Sequence, residues 1–507
     1  MARTADECVG LAGKAGAAGD GDLRQRCLNQ AVALDRNCQA ALMALAADSL
    51  DAGDPAETYA LLEEAKRAGV LPESAAPLHR DLLGRLRGDK RLEDYFRATG
   101  RITAAPPAKQ LSVVLVTNLF PPQELGGYGR MMWEFAHALA ARGHKLRVLT
   151  SDTTEFGKPP TSDERALEAS VRRTLQMLGT WVGGRPVPLG DPAELSCRIG
   201  ANAERLRSAV AETGADLVLA GNLDFLGVDL LRPALHGGVP VLHALANAAP
   251  GYTPAEQPRE AHYWVAPCSN WNGEVLRQAG YAPARSETLY PGARLDHFFR
   301  LFLPEVGRLR ICYASLVLPY KGVDTLVAAL GRLHHAGIDF TAEIAGDAPD
   351  RKFLADLIER ARALGLQDKV TFTGFLDRDG LGGLFARNNV LVFPSRFEEP
   401  FGISQVEAMA AGLVVVSSGT GGAKEIVRAG VDGLLFPAGN DGELAVQLAG
   451  LARNPALMAR LQRAGQARAF TFSVENAARK IEALADAMAT AAPHHPSGGG
   501  RSGVGKP

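Results

Sequence analysis

The chain has 507 residues, of which 46% are hydrophobic, too many for a disordered polypeptide and enough for about three domains at roughly 150 residues each. Lys and Arg number 55 against 56 Asp and Glu, a formal net charge of −1 that argues against a dedicated nucleic-acid binder. Six dispersed cysteines, at positions 8, 27, 38, 197, 268 and 312, exclude a disulfide scaffold and a zinc knuckle. No secretory leader or apolar membrane span is expected, so a cytoplasmic protein with reduced thiols is the expectation, at most peripheral to the inner membrane.

Residues 1–105 read as helix followed by a linker: Ala and Leu dominate and β-branched residues are few. Gly-Asp pairs recur at Gly19-Asp20, Gly53-Asp54 and Gly88-Asp89, steps of 34 and then 35 residues. Asp54-Pro55 has the form of a helix start, with Pro at the first helical position. A helix–turn–helix period of this length resembles tetratricopeptide repeats, stacked as a small solenoid; a plain helical bundle is the alternative. Pro106-Pro107 breaks helix and suggests a separable unit.

A first βα series follows over 106–292. LSVVLVTN (111–118) reads as a buried parallel strand, then a glycine loop and helix (120–143), then strands at 144–152, 215–222, 239–245 and 264–271. A second series occupies 293–470, with strands at 309–315, 339–346, 369–374, 389–395, 413–418 and 433–439. Amphipathic helices lie between them, for example 323–337 and 352–365. The fold class is therefore α/β, two such domains after an all-α region, with a last helix at 471–489 and a disordered tail at 490–507.

Ligands in such sheets bind beyond the carboxyl ends of the strands, so chemistry is sought there. Gly126, Gly127 and Gly129 follow the first strand and precede a helix, where backbone N–H groups can approach a phosphate or simply turn the chain. Lys321 heads a helix, opposed to the helix dipole, unless it neutralises an anion or is an ordinary exposed lysine. FPSRFEEPFGISQVEAMAAG (393–412) places Glu399 after a strand and Glu407 eight residues on, within a helix. Two carboxylates there can accept hydrogen bonds from sugar and ribose hydroxyls; an acidic helix start is the alternative. Gly421 and Gly422, followed by Glu425, form a second glycine loop that offers backbone donors. His334-His335 diverge on a helix, and no metal or cofactor is expected.

The run from Glu399 to Glu407, EPFGISQVE, resembles the E-x7-E motif of retaining glycosyltransferases of family 4. LVTNLFPPQELGG, Lys321-Gly322 and GGAKEIVRAGVDGLLFPAGNDGELA resemble other segments of that family in the same order, over roughly residues 111–485. The resemblance implies a GT-B fold, two facing Rossmann-like domains, with a nucleotide-sugar donor held mainly by the second and the acceptor by the first. It implies that Glu407 binds the ribose and Glu399 the donor sugar. Lys321 then neutralises the diphosphate, and Gly126, Gly127, Gly421 and Gly422 approach it through backbone. Phe401, Gly402 and Ile403 count with the donor-binding residues on the same ground. Lys321, Glu399 and His243 are the catalytic candidates. The family arginine six residues before the lysine is Ser315 here, and Arg294 or Arg396 is the candidate replacement. The family histidine falls at His243 or, by stricter strand alignment, at Ala246 beside Asn247.

These readings imply retaining sugar transfer to a glycan, lipid-linked or protein acceptor, in bacterial surface polysaccharide or lipopolysaccharide assembly. A protein partner or self-association is expected for the helical repeats. The main alternative is a catalytically impaired scaffold, prompted by Ser315; a nucleotide-sugar epimerase of related fold is a third.

Overall fold

The computed structural model describes residues 4–35, 38–52, 54–67, 69–85, 94–95, 97–98, 106–124, 126–157, 159–182, 185–300 and 303–491. Gly53, Gly88-Asp89 and residues 492–507 of the tail read as disordered lie outside the described residues; 490 and 491, expected in that tail, instead end a helix.

The amino-terminal region is helical because its helix starts are encoded locally. Thr4 and Glu7 form a reciprocal capping box for α1 (Ala5–Ala17). Asp20 caps α2 (Gly21–Leu34) by accepting from the Leu23 N–H at 2.9 Å. α3 (Gln39–Asp51) and α4 (Pro55–Arg67) follow, with Pro55 at the first helical position and Asp54 accepting from the Glu57 N–H at 3.0 Å. α5 (Ala76–Arg85) comes next. α1 packs on α2 and α3 on α4, and a two-pronged bond from Arg24 to Asp48, 2.9 and 3.0 Å, ties the hairpins together. Leu28, Leu42, Leu45, Leu62 and Leu82 fill the core between them.

The chain divides into two units. One comprises residues 1–106, 269–271 and 290–476; the other comprises 107–268, 272–289 and 477–507. The helical region therefore belongs with the later α/β series, not with the one that follows it in sequence. Within that unit α2 packs against the helix Arg378–Arg387, in which Gly382, Gly383, Leu384 and Phe385 are buried. Pro106-Pro107 marks the boundary between the two units.

In the unit containing 107–268, β1 (Ser112–Val116), β2 (Lys145–Ser151), β3 (Val171–Leu175), β6 (Leu217–Ala220), β7 (Val241–Leu245), β8 (Tyr263–Pro267) and β9 (Arg285–Ser286) form a parallel sheet. Their order is β3-β2-β1-β6-β7-β8-β9, with β4 (Gly179–Val182) and β5 (Arg185–Pro188) apart as a hairpin. Val113 to Val116 have no exposed surface, as expected of a strand covered on both faces. The sequence expectation of strand through 264–271 is corrected at its end: a helix begins at Asn270. The carboxyl-terminal helix Val474–Ala491 anchors here by Glu482, which takes Arg142 at 2.5 Å and His144 at 2.7 Å.

In the other unit β10 (Leu309–Ala314), β11 (Phe340–Ala345), β12 (Val370–Gly374), β13 (Val390–Phe393), β14 (Val414–Ser417) and β15 (Leu434–Leu435) form a second parallel sheet, ordered β12-β11-β10-β13-β14-β15. The helices Val323–His335 and Asp441–Arg453 cover it through Leu326, Leu330, Leu444 and Leu448.

Candidate active site

The loop after β13 carries the first glutamate. Glu399 is 6% exposed, and its Oε1 accepts from the Ser395 hydroxyl at 2.7 Å and from Lys321 Nζ at 2.6 Å. Lys321 closes a single 3₁₀ turn, Pro319–Lys321, beyond β10. Gly322, at φ +73°, lies so close to the end of β13 that a Cβ there would be 2.0 Å from the Pro394 carbonyl oxygen. The Tyr320 carbonyl accepts from the Arg396 and Phe397 N–H groups at 2.9 and 3.1 Å. The two loops are thus stitched together by backbone, and the ammonium sits 5.7 and 5.5 Å from the Tyr320 and Phe397 ring centroids.

Glu407 lies on the helix Ile403–Ala410, 5% exposed, with Oε1 facing Arg378 Nη1 at 3.3 Å. Burial raises its carboxyl above the ordinary range and Arg378 pulls it back in part. Both bonds to Glu399 fall on Oε1, and Arg378 also takes Oε1 of Glu407; Oε2 of each carboxylate carries no bond from a described residue. The helix itself begins at Gly402 with no side-chain cap, so its first N–H groups point a partial positive charge outward.

Several sequence expectations change here. The Gly422 N–H is spent on the Glu399 carbonyl at 2.7 Å, and a Cβ at Gly422 would be 2.1 Å from the Pro400 carbonyl oxygen. Gly422 therefore holds the Glu399 loop rather than presenting a donor, while a Cβ at Gly421 would be 2.4 Å from the Glu399 carbonyl oxygen of the same loop. Phe401 is 4% exposed, its ring packed on Tyr290 and Phe472 at 5.7 and 5.5 Å, so its side chain belongs to the core. Glu425 accepts from the Asn270 and Trp271 N–H groups of its own unit at 3.1 and 2.8 Å, so its carboxylate is already engaged. Arg396 bonds Asp324 and Thr325 at 2.7 and 2.8 Å, and Arg294 bonds Asp296 at 2.6 Å. Each proposed replacement for the arginine missing at Ser315 is thus engaged elsewhere. The sequence reading missed Arg378. It heads the helix Arg378–Arg387 against the dipole, the feature that singled out Lys321, and its guanidinium lies over Phe298 at 5.0 Å.

In the other unit Gly126 and Gly127 are exposed, and a Cβ at either would meet nothing within 4 Å. Gly127 opens the helix Tyr128–Ala141 without a side-chain cap. His243 requires a correction as a catalytic candidate. It lies in β7 with no exposed surface; its Nε2–H donates to the Gly221 carbonyl at 2.9 Å, so Nδ1 accepts from the Tyr263 hydroxyl at 2.8 Å. Burial lowers its pKa to about 4, so the ring is neutral and structural at neutral pH. Asn247, in the loop after β7, donates to Asp224 at 3.3 Å. Among the described residues no His/Cys/Asp/Glu group is arranged to hold a metal, and no helix is long and apolar enough to cross a membrane.

Residues 125–297 match the family described as Glycosyltransferase Family 4, and residues 298–468 the family described as Glycosyl transferases group 1. The chain is 26% identical to the glycogen synthase of Mycobacterium tuberculosis over 376 residues, 71% of this chain and 90% of that protein. It is 27% identical over 436 residues to the D-inositol 3-phosphate glycosyltransferase of Streptomyces bingchenggensis, 78% of this chain and 92% of the relative. The solved structure of Anabaena HepE in complex with UDP and glucose superposes with a TM-score of 0.57 at 20% identity, over 75% of this chain and 100% of that one. The two sheets and the two adjoining family matches define the class: the chain is an enzyme, a glycosyltransferase of the GT-B fold. That class is consistent with dependence on a nucleotide-sugar donor.

Proposed function

We propose that the chain transfers a sugar from a nucleotide diphosphate to a glycan, lipid-linked or protein acceptor, with retention at the anomeric carbon, in surface polysaccharide assembly. The observation that carries this reading is the pair of buried glutamates on β13's loop and helix, each set against one cation. Glu407 Oε2 accepts from the ribose hydroxyls, and Glu399 contacts the donor sugar. As the bond from the anomeric carbon to the diphosphate breaks, its electron pair moves onto the phosphate oxygen, an acceptor hydroxyl oxygen bonds that carbon on the same face, and the hydroxyl proton passes to the departing phosphate oxygen. Lys321 and the uncapped helix start at Gly402 oppose that growing charge, which favours the transition state over the ground state. Gly126 and Gly127 leave room for backbone approach by a ligand. A cytoplasmic location, at most peripheral to the inner membrane, goes with this reading.

UDP is the first nucleotide to test, because the HepE complex contains UDP and glucose. A thermal-shift panel of UDP-, GDP- and ADP-sugars should single out one nucleotide, since a ligand bound only by the folded chain raises its apparent stability. Product anomeric configuration, read by proton NMR, then decides retention; an inverted product ends the retaining mechanism, and no stabilisation by any nucleotide sugar ends the donor assignment.

A further inference from the structure

The helix Arg378–Arg387 puts Arg378 opposite Glu407, yet its own sequence barely supports it. Three of its ten residues, Gly380, Gly382 and Gly383, are glycine, the weakest helix former after proline. Ten residues is also below the roughly 12–15 under which even alanine-rich helices are marginal on their own. At Gly382 nothing local demands glycine. Its φ is not positive, and among the described residues a Cβ would meet nothing nearer than His297 Nε2 at 4.0 Å.

Asp377 caps the start of this helix by accepting from the Gly380 N–H at 2.8 Å. The remaining support comes from outside it. His297 Nε2–H donates to the Arg378 carbonyl at 3.1 Å, and Arg300 Nη2 donates to the Gly382 carbonyl at 2.9 Å. Phe385 packs on Phe298, ring centroids 5.7 Å apart, and α2 packs against the helix in the same unit. α2 is built the other way. It starts on the Asp20 cap, buries Leu28 and Ala31 in the core of the amino-terminal hairpins, and is tied to Asp48 through Arg24. A helix held by its own cap and core lies along one that has little of either.

We propose that α2 is a positioning element for Arg378: by bracing the helix Arg378–Arg387 it keeps the guanidinium against Glu407. The amino-terminal helices thereby act on the site without touching a ligand. The consequence for nucleotide affinity rests on the assignment of Glu407 to the ribose; the bracing does not.

Hydrogen exchange of the full chain without ligand, read by mass spectrometry, tests the bracing. Asn29→Pro puts proline in the interior of α2, where it removes the bond to the Gln25 carbonyl and breaks the helix. Amides 378–387 should then exchange faster on the order of tenfold or more, with those of β13 and β14 unchanged. If that variant loses protection throughout the chain, Arg24→Ala, which removes only the tie to Asp48, replaces it and should give a smaller acceleration of the same amides. With either variant, faster exchange at 21–34 and wild-type exchange at 378–387 overturns the proposal. Gly382→Ala raises helix propensity where there is room for a Cβ. Added to Asn29→Pro, it should slow exchange at 378–387 about fivefold while α2 stays unprotected, a rescue that general destabilisation does not allow. No slowing overturns the proposal as well.

UDP affinity, read by calorimetry, follows the route to the site. It should fall on the order of tenfold in Arg378→Ala and in Asn29→Pro, and no further in the double variant, because both act through one contact. Additive losses overturn the route through Arg378. If the wild type binds no UDP, the nucleotide assignment fails separately, and exchange alone decides the bracing.

Discussion

Two parallel sheets in one chain end in differently built sites. Beyond β10, β12 and β13 lie charged groups in pairs, Lys321 with Glu399 and Arg378 with Glu407, held by glycines that admit no Cβ. Beyond β1, Gly126 and Gly127 face open space, whereas a Cβ at Gly129 would be 2.9 Å from the Leu119 carbonyl oxygen; in β7 and β8 His243 and Tyr263 are closed into a neutral hydrogen-bonded chain. The same topology therefore supplies two separate cation–carboxylate pairs on tightly fitted glycines in one unit, and in the other an Arg130 shared by Glu124 and Glu164 at 2.7 and 2.5 Å beside two open glycines. Topology places strand ends; the residues put there decide what they do.

Lys321→Ala breaks the paired side of this contrast most directly. Turnover should fall on the order of 10²-fold or more, with a smaller loss of donor affinity, because the ammonium acts chiefly on the departing diphosphate. Steady-state kinetics near wild type would remove Lys321 from that role.

Glu407→Ala should weaken donor binding by about 1.5–3 kcal/mol, read by calorimetry, through lost hydrogen bonds to a charged group. Its partner sharpens the test. Because burial raises the Glu407 carboxyl, the folded chain keeps a proton that the unfolded chain releases above the ordinary carboxyl range. Its contribution to stability is thus present at low pH and lost as pH rises through the raised range. Donor binding needs the ionised form and fails in the reverse direction, as pH falls. Arg378→Ala removes the opposing cation, so donor affinity should fail at a higher pH than in the wild type. Superimposed affinity–pH profiles would show that the two residues are not coupled.

His243→Gln should cost stability, on the order of 1–3 kcal/mol for a buried hydrogen-bonded group, and leave turnover per folded molecule unchanged. The wild-type imidazole, lowered from 6.5 to about 4, binds fewer protons folded than unfolded, so its stability contribution is lost as pH falls through that interval. Chemical denaturation from pH 7 to 4 should show a shallower decline in the variant; a large drop in turnover would restore His243 to the chemistry.

The smallest effect separates the two glycine loops. Gly422→Ala, with a Cβ 2.1 Å from a backbone oxygen, should destabilise by about 1–3 kcal/mol. Gly127→Ala, at φ −90° with nothing within 4 Å, should stay within about 0.5 kcal/mol. Equal melting temperatures for the two would erase the distinction.

The interior strands were legible because each is a β-branched run between turn formers, as at Val390–Phe393. β3 escaped notice: VRRTL carries two arginines and alternates in burial at the sheet edge. The hairpin of β4 and β5 was hidden by its prolines, which weaken any strand assignment. Glu399, Glu407 and Lys321 could be picked out because local sequence places each just after a strand or at a helix start. Arg378 could not be paired with Glu407 in the same way. It follows β12, which two strands separate from β13 in the sheet order, and the pairing exists only once the sheet is assembled. The place of His243 likewise depends on Tyr263 and Gly221, 20 and 22 residues away.

The packing of α2 on the helix Arg378–Arg387 has a consequence for inheritance. Ten helical residues make a rod about 15 Å long, with the arginine that faces Glu407 at its first position and α2 packed against it. Residues on α2 and on this rod, some 350 positions apart in the gene, must change together to keep their fit. Relatives that lack the first hundred residues should carry polar side chains on the flank that α2 covers here. Recombination that grafts the helical segment onto another transferase should succeed only when the rod travels with it.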